Sequence, residues 1–316
     1  MENNAQSENA KTSKLKSIQS WFDTYSDRPA SNNDKKIDWV RAVPFIAMHL
    51  ACGLVFIVGW SPVAVAVAIL LYGIRMFAIT GFYHRYFSHR AFKTSRFMQF
   101  IFAALGATAV QRGALWWAAH HRIHHVTSDQ ENDQHSPKKH GLLWSHLGWF
   151  LSRGNFSTRL DRVSDFSKYA ELRFLDRYDA LVPVTFAALI YLFGLFLEFY
   201  FPQLQTNGMQ MLVWGFFVST VFLYHGTFTI NSFAHTLGRK IFPSNDDSRN
   251  NFLLALITMG EGWHNNHHYF PGSARQGFMW WEIDMTYYGL LLMEKMGLIW
   301  GLREVPQRVY EKRRSL

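Results

Sequence analysis

The chain has 316 residues, of which 49% are hydrophobic and 17% aromatic, and this length suits one large domain or two small ones. Its single cysteine, Cys52, excludes an intrachain disulfide and any zinc or iron–sulfur centre held by several thiolates, so a bound metal would need nitrogen or oxygen ligands. The formal net charge of +9 indicates either acidic partners or the cytoplasmic Lys and Arg excess of a membrane protein, and no basic repeat is typical of nucleic-acid binding.

The N-terminal residues 1–36 are polar and rich in Asn, Ser and Lys. Such a composition cannot bury a core and predicts a flexible cytosolic tail. Five residues within it have helical spacing: Leu15, Ile18, Trp21, Phe22 and Tyr25. This stretch is expected to be either a helix on the membrane surface or a short helix docked on the domain.

Four mainly apolar runs are each about long enough to cross a bilayer. They comprise residues 42–60, 63–80, 180–201 and 209–230. Short turns at Ser61-Pro62 and at residues 203–208 join the members of each pair, which predicts two transmembrane hairpins. The sequence therefore indicates an all-α integral membrane protein with four transmembrane helices under a histidine-rich cap.

The remaining segments are assigned around these runs. The expected divisions are a membrane domain over 37–302, with a cap built from 81–179 and 231–302, and a basic C-terminal tail, expected to be solvated, at 303–316. Two further apolar stretches, 97–109 and 251–259, are too short to span and predict interfacial helices or walls of the cap.

Charge sets the expected orientation. The two short turns carry no Lys or Arg, whereas the N-terminal tail, the cap segments and the C-terminal segment hold nearly all of them. Because Lys and Arg accumulate on the cytoplasmic side, both termini and the cap are predicted to be cytoplasmic. The membrane would be the inner membrane of a bacterium or the endoplasmic reticulum of a eukaryote.

A few polar residues fall within the apolar runs. His49 and His225 are expected to form a hydrogen bond between helices in preference to binding a metal. Arg75 lies near the cytoplasmic end of its run and is expected to extend its guanidinium to the interface, while Glu198 lies near the opposite interface.

Histidines cluster in short motifs. His121, His124 and His125 are spaced i, i+3, i+4, which places three imidazoles on one face of a helix. The segment His264–His268 repeats the same spacing. Three neutral nitrogens on one face suit a transition metal such as iron, zinc or copper.

Three other histidines fit one face of a regular helix less well. His84 and His89 would lie about 140° apart on a regular helix, so they could share a site only if the helix ends or distorts between them. His120 lies about 100° round the helix from His121 and is the weakest candidate.

Asn231 and His235, spaced i, i+4, follow the fourth apolar run at once. All the candidate ligands thus fall on one side of the predicted membrane. Nine imidazoles are too many for one metal and suit two, and ligation without thiolate fits iron. The nine are His84, His89, His121, His124, His125, His235, His264, His267 and His268.

These motifs strongly resemble those of the membrane-bound fatty-acid desaturases, in particular the Δ9 type that includes stearoyl-CoA desaturase. The family carries HxxxxH, HxxHH and a second HxxHH, which stand here at His84–His89, His121–His125 and His264–His268. Asn231–His235 resembles the family's NSxxH, and Gly260–His268 resembles its GEGxHNxHH. The resemblance covers roughly residues 40–300.

The resemblance implies four transmembrane helices under a cytosolic cap, with the nine histidines holding two irons and Asn231 acting through a water. It also implies O2-dependent removal of two hydrogens from a methylene pair. The product would be a cis double bond at Δ9 in an acyl chain carried by coenzyme A or, alternatively, by a lipid. The chain has no haem motif, cysteine cluster or dinucleotide fingerprint, so electrons are expected from an external protein donor such as cytochrome b5 or a ferredoxin with its reductase.

One departure from the animal acyl-CoA enzymes concerns the head group. Those enzymes have charged residues just before the HxxHH motif, where this chain has Trp116–His120. Arg112, Lys138 and Lys139 are candidates to replace the head-group contacts, and a lipid-bound acyl chain is the alternative substrate.

Two other functions fit parts of the pattern. A related histidine-rich di-iron hydroxylase or ketolase would use the same metals. A membrane metal-binding or transport protein would need ionisable ligands along a path inside the bilayer, whereas the candidates here collect outside it. Iron content together with O2-dependent product formation would separate the three.

Overall fold

The computed structural model describes residues 21–25 and 34–315, so Leu15 and Ile18 of the predicted surface helix lie outside the described residues. In chain order the α-helical and π-helical elements are α1 Trp39–Cys52, α2 Val55–Val58, α3 Pro62–Phe77, α4 Ala78–Ser88, α5 Arg96–Ala107, α6 Ala114–Thr127, α7 Pro137–His140, α8 Trp144–Gly148, α9 Ser164–Ser167, α10 Ala170–Arg177, α11 Leu181–Tyr200, α12 Gly208–Gln210, α13 Met211–Val218, α14 Ser219–Ser232, α15 Phe252–Ile257, α16 His264–Tyr269, α17 Met285–Lys295 and α18 Gln307–Arg314. Short 3-10 turns cover Arg153–Asn155, Leu160–Val163, Pro202–Leu204 and Phe233–His235. The strands β1 Lys93–Thr94 and β2 Ile299–Trp300 pair antiparallel, with Lys93 opposite Trp300.

Four helical stretches are long and apolar enough to cross a membrane, which confirms the predicted fold class. They are the first spanning helix Trp39–Val58, the second Pro62–Ser88, the third Leu181–Tyr200 and the fourth Gly208–His235. The second and fourth run past their predicted ends at residues 80 and 230. The residues beyond those points, which carry His84 and His235, are still helical.

The two hairpin turns are capped by side chains and contact each other. The Ser61 hydroxyl accepts a hydrogen bond from Ala64 N at 3.0 Å and caps α3. Asn207 and Gln210 form a reciprocal capping box at the start of α12. A 2.7 Å hydrogen bond between Ser61 Oγ and Thr206 Oγ1 joins the turns, so both lie at the same end of the helical bundle.

The second spanning helix ends in a π-helical segment, α4. In a π-helix hydrogen bonds join residues five apart, and His89 N donates to His84 O at 3.2 Å. Residues five apart are thereby brought towards the same face, so the distortion that the His84–His89 spacing requires is present. Every residue of α4 is buried, and the surrounding side chains hold this geometry.

The main core surrounds α4. Phe87, Phe102 and Leu115 are fully buried in it. Gly106 of α5 lies directly against Tyr83, since a Cβ at Gly106 would be 2.0 Å from Tyr83 Cε1. The two stretches predicted to be too short to span are found as helices, α5 and the shorter α15.

Three of the polar residues predicted within the apolar runs, His49, Arg75 and His225, contact other polar groups, whereas Glu198 is exposed. Arg75 is 1% exposed, and its guanidinium donates to Thr220 Oγ1 at 2.7 Å and to Thr108 O at 3.3 Å. The expectation that Arg75 extends to the interface is therefore wrong, because helix-borne acceptors satisfy it internally. His49 Nε2 and His225 Nε2 lie 3.2 Å apart, which confirms the predicted hydrogen bond between helices.

The described part of the N-terminal stretch lies on the domain. The Thr24 hydroxyl donates to the Asp176 carbonyl oxygen at 3.0 Å. Arg177 pairs with Asp23 at 2.7 Å. We call residues 21–25 the N-terminal strap.

The C-terminal segment is folded, unlike the solvated tail that its basic composition predicts. Val309 of α18 is buried beside Phe242 and Phe278. Arg313 donates to Glu282 Oε1 at 3.3 Å. The few apolar residues of this segment and the Arg313–Glu282 pair dock it, while Arg308, Lys312 and Arg314 are exposed.

Candidate metal centre

Five of the nine predicted ligands converge in one group. One ring nitrogen from each lies within 4.8 Å of all the others. This first group comprises His84, His89, His121, His125 and His267. It is built from the end of the second spanning helix, from α6 and from α16.

The other four converge in a second group with the same close spacing of ring nitrogens. It comprises His124, His235, His264 and His268. The helices α6 and α16 each contribute to both groups. His121 and His125 of α6 belong to the first group, whereas His124 belongs to the second. His264 and His268 of α16 belong to the second group, whereas His267 belongs to the first.

Buried carboxylates hold the outer ring nitrogens of both groups. His84 Nδ1 lies 2.5 Å from Glu261 Oε2. In the second group, three equivalent contacts join His124 Nδ1 to Asp133 (3.1 Å), His235 Nδ1 to Asp129 (2.8 Å) and His268 Nδ1 to Asp246 (2.6 Å). An ionised carboxylate can only accept, so each of these rings carries its proton on Nδ1 and directs the Nε2 lone pair inward.

The inward nitrogens of each group converge to within hydrogen-bond distance of one another. His84 Nε2 and His267 Nε2 are 3.0 Å apart, and His235 Nε2 and His264 Nε2 are also 3.0 Å apart. In addition, His124 Nε2 is buried without a hydrogen-bond partner among the described residues. Because carboxylates hold the Nδ1 protons of His124 and His268, the buried Nε2 lone pairs of these rings have no donor among the described residues, and a cation would satisfy them. A donor set made only of imidazole suits a borderline transition metal. The residues present therefore fit a metal at each group.

Electrostatics keep five of the nine rings in the neutral form that binds metal. Burial, reinforced by the neighbouring imidazoles, lowers the pKa of five of them well below the usual range: His89, His121, His125, His264 and His267. Although burial opposes it, the hydrogen bond from His268 holds the pKa of the Asp246 carboxyl below its ordinary value. Neutral imidazoles beside ionised carboxylates bind a divalent ion without first losing protons.

A cavity of about 710 Å³ adjoins the first group. His121 and Asn231 are on its wall, and the Trp117 indole stacks on His121 with ring centroids 5.0 Å apart. Along α1 the lining runs from Arg41 to Ala51, a rise of about 15 Å. A mainly apolar cavity of this volume is typical of a site for a small ligand.

A family model for fatty acid desaturases matches residues 59–291. The chain belongs to the fatty acid desaturase family. It is 34% identical over 304 residues to the acyl-CoA 5-desaturase AL21 of Anemone leveillei, with 92% of this chain and 89% of that protein covered. It is also 34% identical to the sn-1 stearoyl-lipid 9-desaturase of Anabaena variabilis, with 85% and 95% covered. A third relative at 34% identity is the Delta-9 acyl-lipid desaturase 1 of Arabidopsis thaliana, with 89% and 88% covered.

Membership confirms the family predicted from the histidine motifs. The chain is an oxidoreductase of the fatty acid desaturase type, and its relatives act on fatty acyl chains. The transport alternative has no further support.

The predicted head-group residues of the desaturase separate in the structure. Arg112 lies on the cavity wall, where it pairs with Asp179 at 2.6 Å. Lys138 and Lys139 are absent from that wall. Lys138 pairs with Asp247 at 2.8 Å, and Lys139 pairs with Glu131 of the preceding loop.

Two histidines of the desaturase lie beside the ligand groups. His120, the weakest candidate, is in neither group; its Nδ1 lies 2.6 Å from Gln134 Oε1. His135 was not predicted as a candidate, yet one of its ring nitrogens lies within 4.8 Å of a ring nitrogen of His124 and of a carboxylate oxygen of Asp133. Both rings line the cavity.

Sequence reasoning missed the carboxylates and one buried cation. Arg85 is fully buried and donates to Asp284 Oδ1 at 3.0 Å and to Glu261 Oε1 at 3.1 Å, so it fixes the carboxylate that holds His84. A signal was present, since Glu261 stands three residues before His264 and Asp246 stands in an acidic pair. Nothing in the sequence assigns a particular carboxylate to a particular imidazole.

Proposed function

We propose that this desaturase introduces a cis double bond into a saturated fatty acyl chain, at the Δ9 position, in an O2-dependent reaction at two irons. The observation that carries the proposal is that His121 belongs to the first imidazole group and also lines the cavity. A fatty acyl chain bound in the cavity would therefore pass beside the metal. The Δ9 position is supported by the motifs and by relatives named as 9-desaturases, although relatives named as 5- and 7-desaturases are equally similar.

The nine imidazoles of the two groups are the proposed ligands, with Asn231 acting through a water. When bound, the two irons would supply the O2 chemistry that removal of hydrogen from an unactivated methylene pair requires. Asn231 is on the cavity wall and outside both groups. This position suits a contact with the metal through a bridging water.

The residues of the protein position the acyl chain and exclude water from it. An alkyl chain has no polar handle near its middle, so the site of reaction must be set by the shape of the cavity. Trp117 and Gln111 form part of this shape, and Gln111 is fixed by a 2.8 Å hydrogen bond to Thr227 Oγ1. Apolar walls exclude water around the methylenes and keep competing reactions away.

The proposed orientation places both termini and the cap, residues 81–179 and 231–302, in the cytoplasm. The positive-inside distribution of Lys and Arg supports it. Electrons would come from an external protein, cytochrome b5 or a ferredoxin with its reductase. The sequence has no redox motif of its own beyond the histidines.

The test is to express the chain in a desaturase-deficient host and to locate double bonds in its fatty acids by mass spectrometry. A new cis-Δ9 monoene is the expected result. A hydroxylated product would contradict the proposal in favour of a hydroxylase. A double bond at another position would leave desaturation standing and refute Δ9.

A further inference from the structure

Besides its boundary at the cap, the cavity has a boundary between spanning helices. The helices α1 and α11 form two of its walls, and both pack against α13. Phe216 and Phe217 of α13 line the back of the cavity. The side opposite α13 is the gap between α1 and α11.

This gap, the lateral slot, is bounded by small or short side chains: Pro44, Ala47, Ala51, Val184 and Ala187. Pro44, Ala47 and Val184 line the cavity and are also exposed, Val184 by 60%. Ala47 is eight residues after the first residue of α1, Trp39, so the slot reaches about 12 Å into the apolar zone. A membrane around the spanning helices would therefore place lipid chains against the slot.

The boundary on the cap side is covered instead. Trp21 and Thr24 of the N-terminal strap line the cavity there. The strap is held by the Asp23–Arg177 pair and by Thr24 N, which donates to Arg177 O at 2.9 Å.

The two arginines that line the cavity within the described part of the chain are already matched by carboxylates. Arg112 pairs with Asp179 at 2.6 Å and lies over the Phe156 ring at 3.8 Å. Arg41 pairs with Asp38 at 2.5 Å. A coenzyme A head group carries several phosphate charges, which would need cations of their own, whereas the uncharged ester region of a glycerolipid needs none.

We infer that the acyl chain enters from the bilayer through the lateral slot, and that the substrate is an acyl group esterified to a membrane glycerolipid and not a soluble acyl thioester. The inference rests on the proposed desaturase function. The ester region would lie near Arg112 and Asp179, and the alkyl chain would pass His121 towards Phe216 and Phe217.

A substrate comparison tests the carrier. The purified, iron-loaded protein is supplied with reduced ferredoxin and its reductase in vesicles of 1-stearoyl-2-oleoyl-phosphatidylcholine, or in dioleoyl-phosphatidylcholine vesicles with added stearoyl-CoA. We expect the phosphatidylcholine chain to be desaturated at least about tenfold faster than the thioester. Desaturation confined to stearoyl-CoA would overturn the inference and leave the proposed function intact. No desaturation of either carrier would count against the proposed function itself.

A second experiment does not depend on activity. Vesicles containing phosphatidylcholine with a diazirine in its acyl chain are irradiated with the protein, and labelled peptides are identified by mass spectrometry. Labels are expected on the outer faces of α1 and α11 and also on Phe216, which is buried at the back of the cavity, and Ala47→Phe should reduce the label on Phe216 about tenfold by filling the slot. Val43→Phe is the matched control, since Val43 of α1 is 50% exposed and does not line the cavity. Equal labelling of Phe216 in the Ala47→Phe and Val43→Phe proteins would overturn the inference.

Discussion

Asp246 orients His268 through a 2.6 Å contact with Nδ1, while its neighbour Asp247 pairs with Lys138 nearer the surface. Partners that orient a metal-binding imidazole typically contribute 10- to 100-fold to metal affinity, as an order of magnitude. We expect Asp246→Asn to weaken iron retention by about that factor, as measured by competition with a chelator. Asp247→Asn is the matched control and should leave retention nearly unchanged, because partly exposed ion pairs contribute about 0–1 kcal/mol. Equal retention in the two variants would refute the orienting role of Asp246.

His267 is the residue of α16 that enters the first group, with its Nε2 3.0 Å from the Nε2 atoms of both His84 and His125. His267→Ala removes a central donor of the group. We expect the variant to insert into the membrane normally, to bind less iron and to lose desaturation. Iron content, membrane fractionation and fatty-acid profiles measure these three outcomes. An active variant with its full complement of iron would contradict the ligand assignment.

At the scale of elements, the contact between α5 and α4 depends on the absence of a side chain at Gly106. A Cβ at this position would meet Tyr83 at 2.0 Å, one residue before His84. We expect Gly106→Ala to destabilise the protein by about 1–3 kcal/mol, the usual cost of overpacking. Gly73→Ala is the control, because nothing lies within 4 Å of its Cβ and alanine favours a helix. Thermal unfolding in detergent compares the two, and equal melting temperatures would refute the packing argument.

The first and fourth spanning helices are joined by a row of three imidazoles. His225 lies between His49, at 3.2 Å, and His146 of α8, at 3.0 Å. Hydrogen bonds between membrane helices contribute about 0.6 kcal/mol on average and up to about 1.7 kcal/mol. A double-mutant cycle with His49→Leu and His225→Leu should therefore give a coupling free energy of unfolding in this range. A coupling near zero would mean that the row contributes no stability.

At the scale of the whole molecule, the number of spanning helices and their pairing in hairpins follow from length and apolarity alone. Length and apolarity are properties of each segment alone, so they can be read directly from the sequence. Helix ends were harder to predict, because α4 continues past residue 80 as a π-helix that depends on the packing of its buried side chains. The folding of α18 on Phe242 could not be predicted either, since it depends on a few apolar contacts between segments far apart in the chain.

The candidate ligands could be predicted from spacing, whereas their division into two groups could not. The i, i+3, i+4 pattern places three imidazoles on one face, but a face is broad enough to serve two sites. The folded structure sends His124 to the second group and His267 to the first, which spacing alone does not indicate. Asp129 and Glu261 hold rings that are far away in the sequence, His235 and His84, so motif spacing does not reveal these pairings.

Because α6 and α16 contribute to both groups, we expect metal loading to be cooperative. A first ion that binds either group must fix the positions of both helices, and the ordering entropy is then already spent when the second ion arrives. We expect iron binding to the metal-free protein to be sigmoidal, with the doubly loaded form appearing while the singly loaded form is scarce. Native mass spectrometry during an anaerobic titration measures the three populations. Accumulation of the singly loaded form before any doubly loaded form would show that the two groups fill independently.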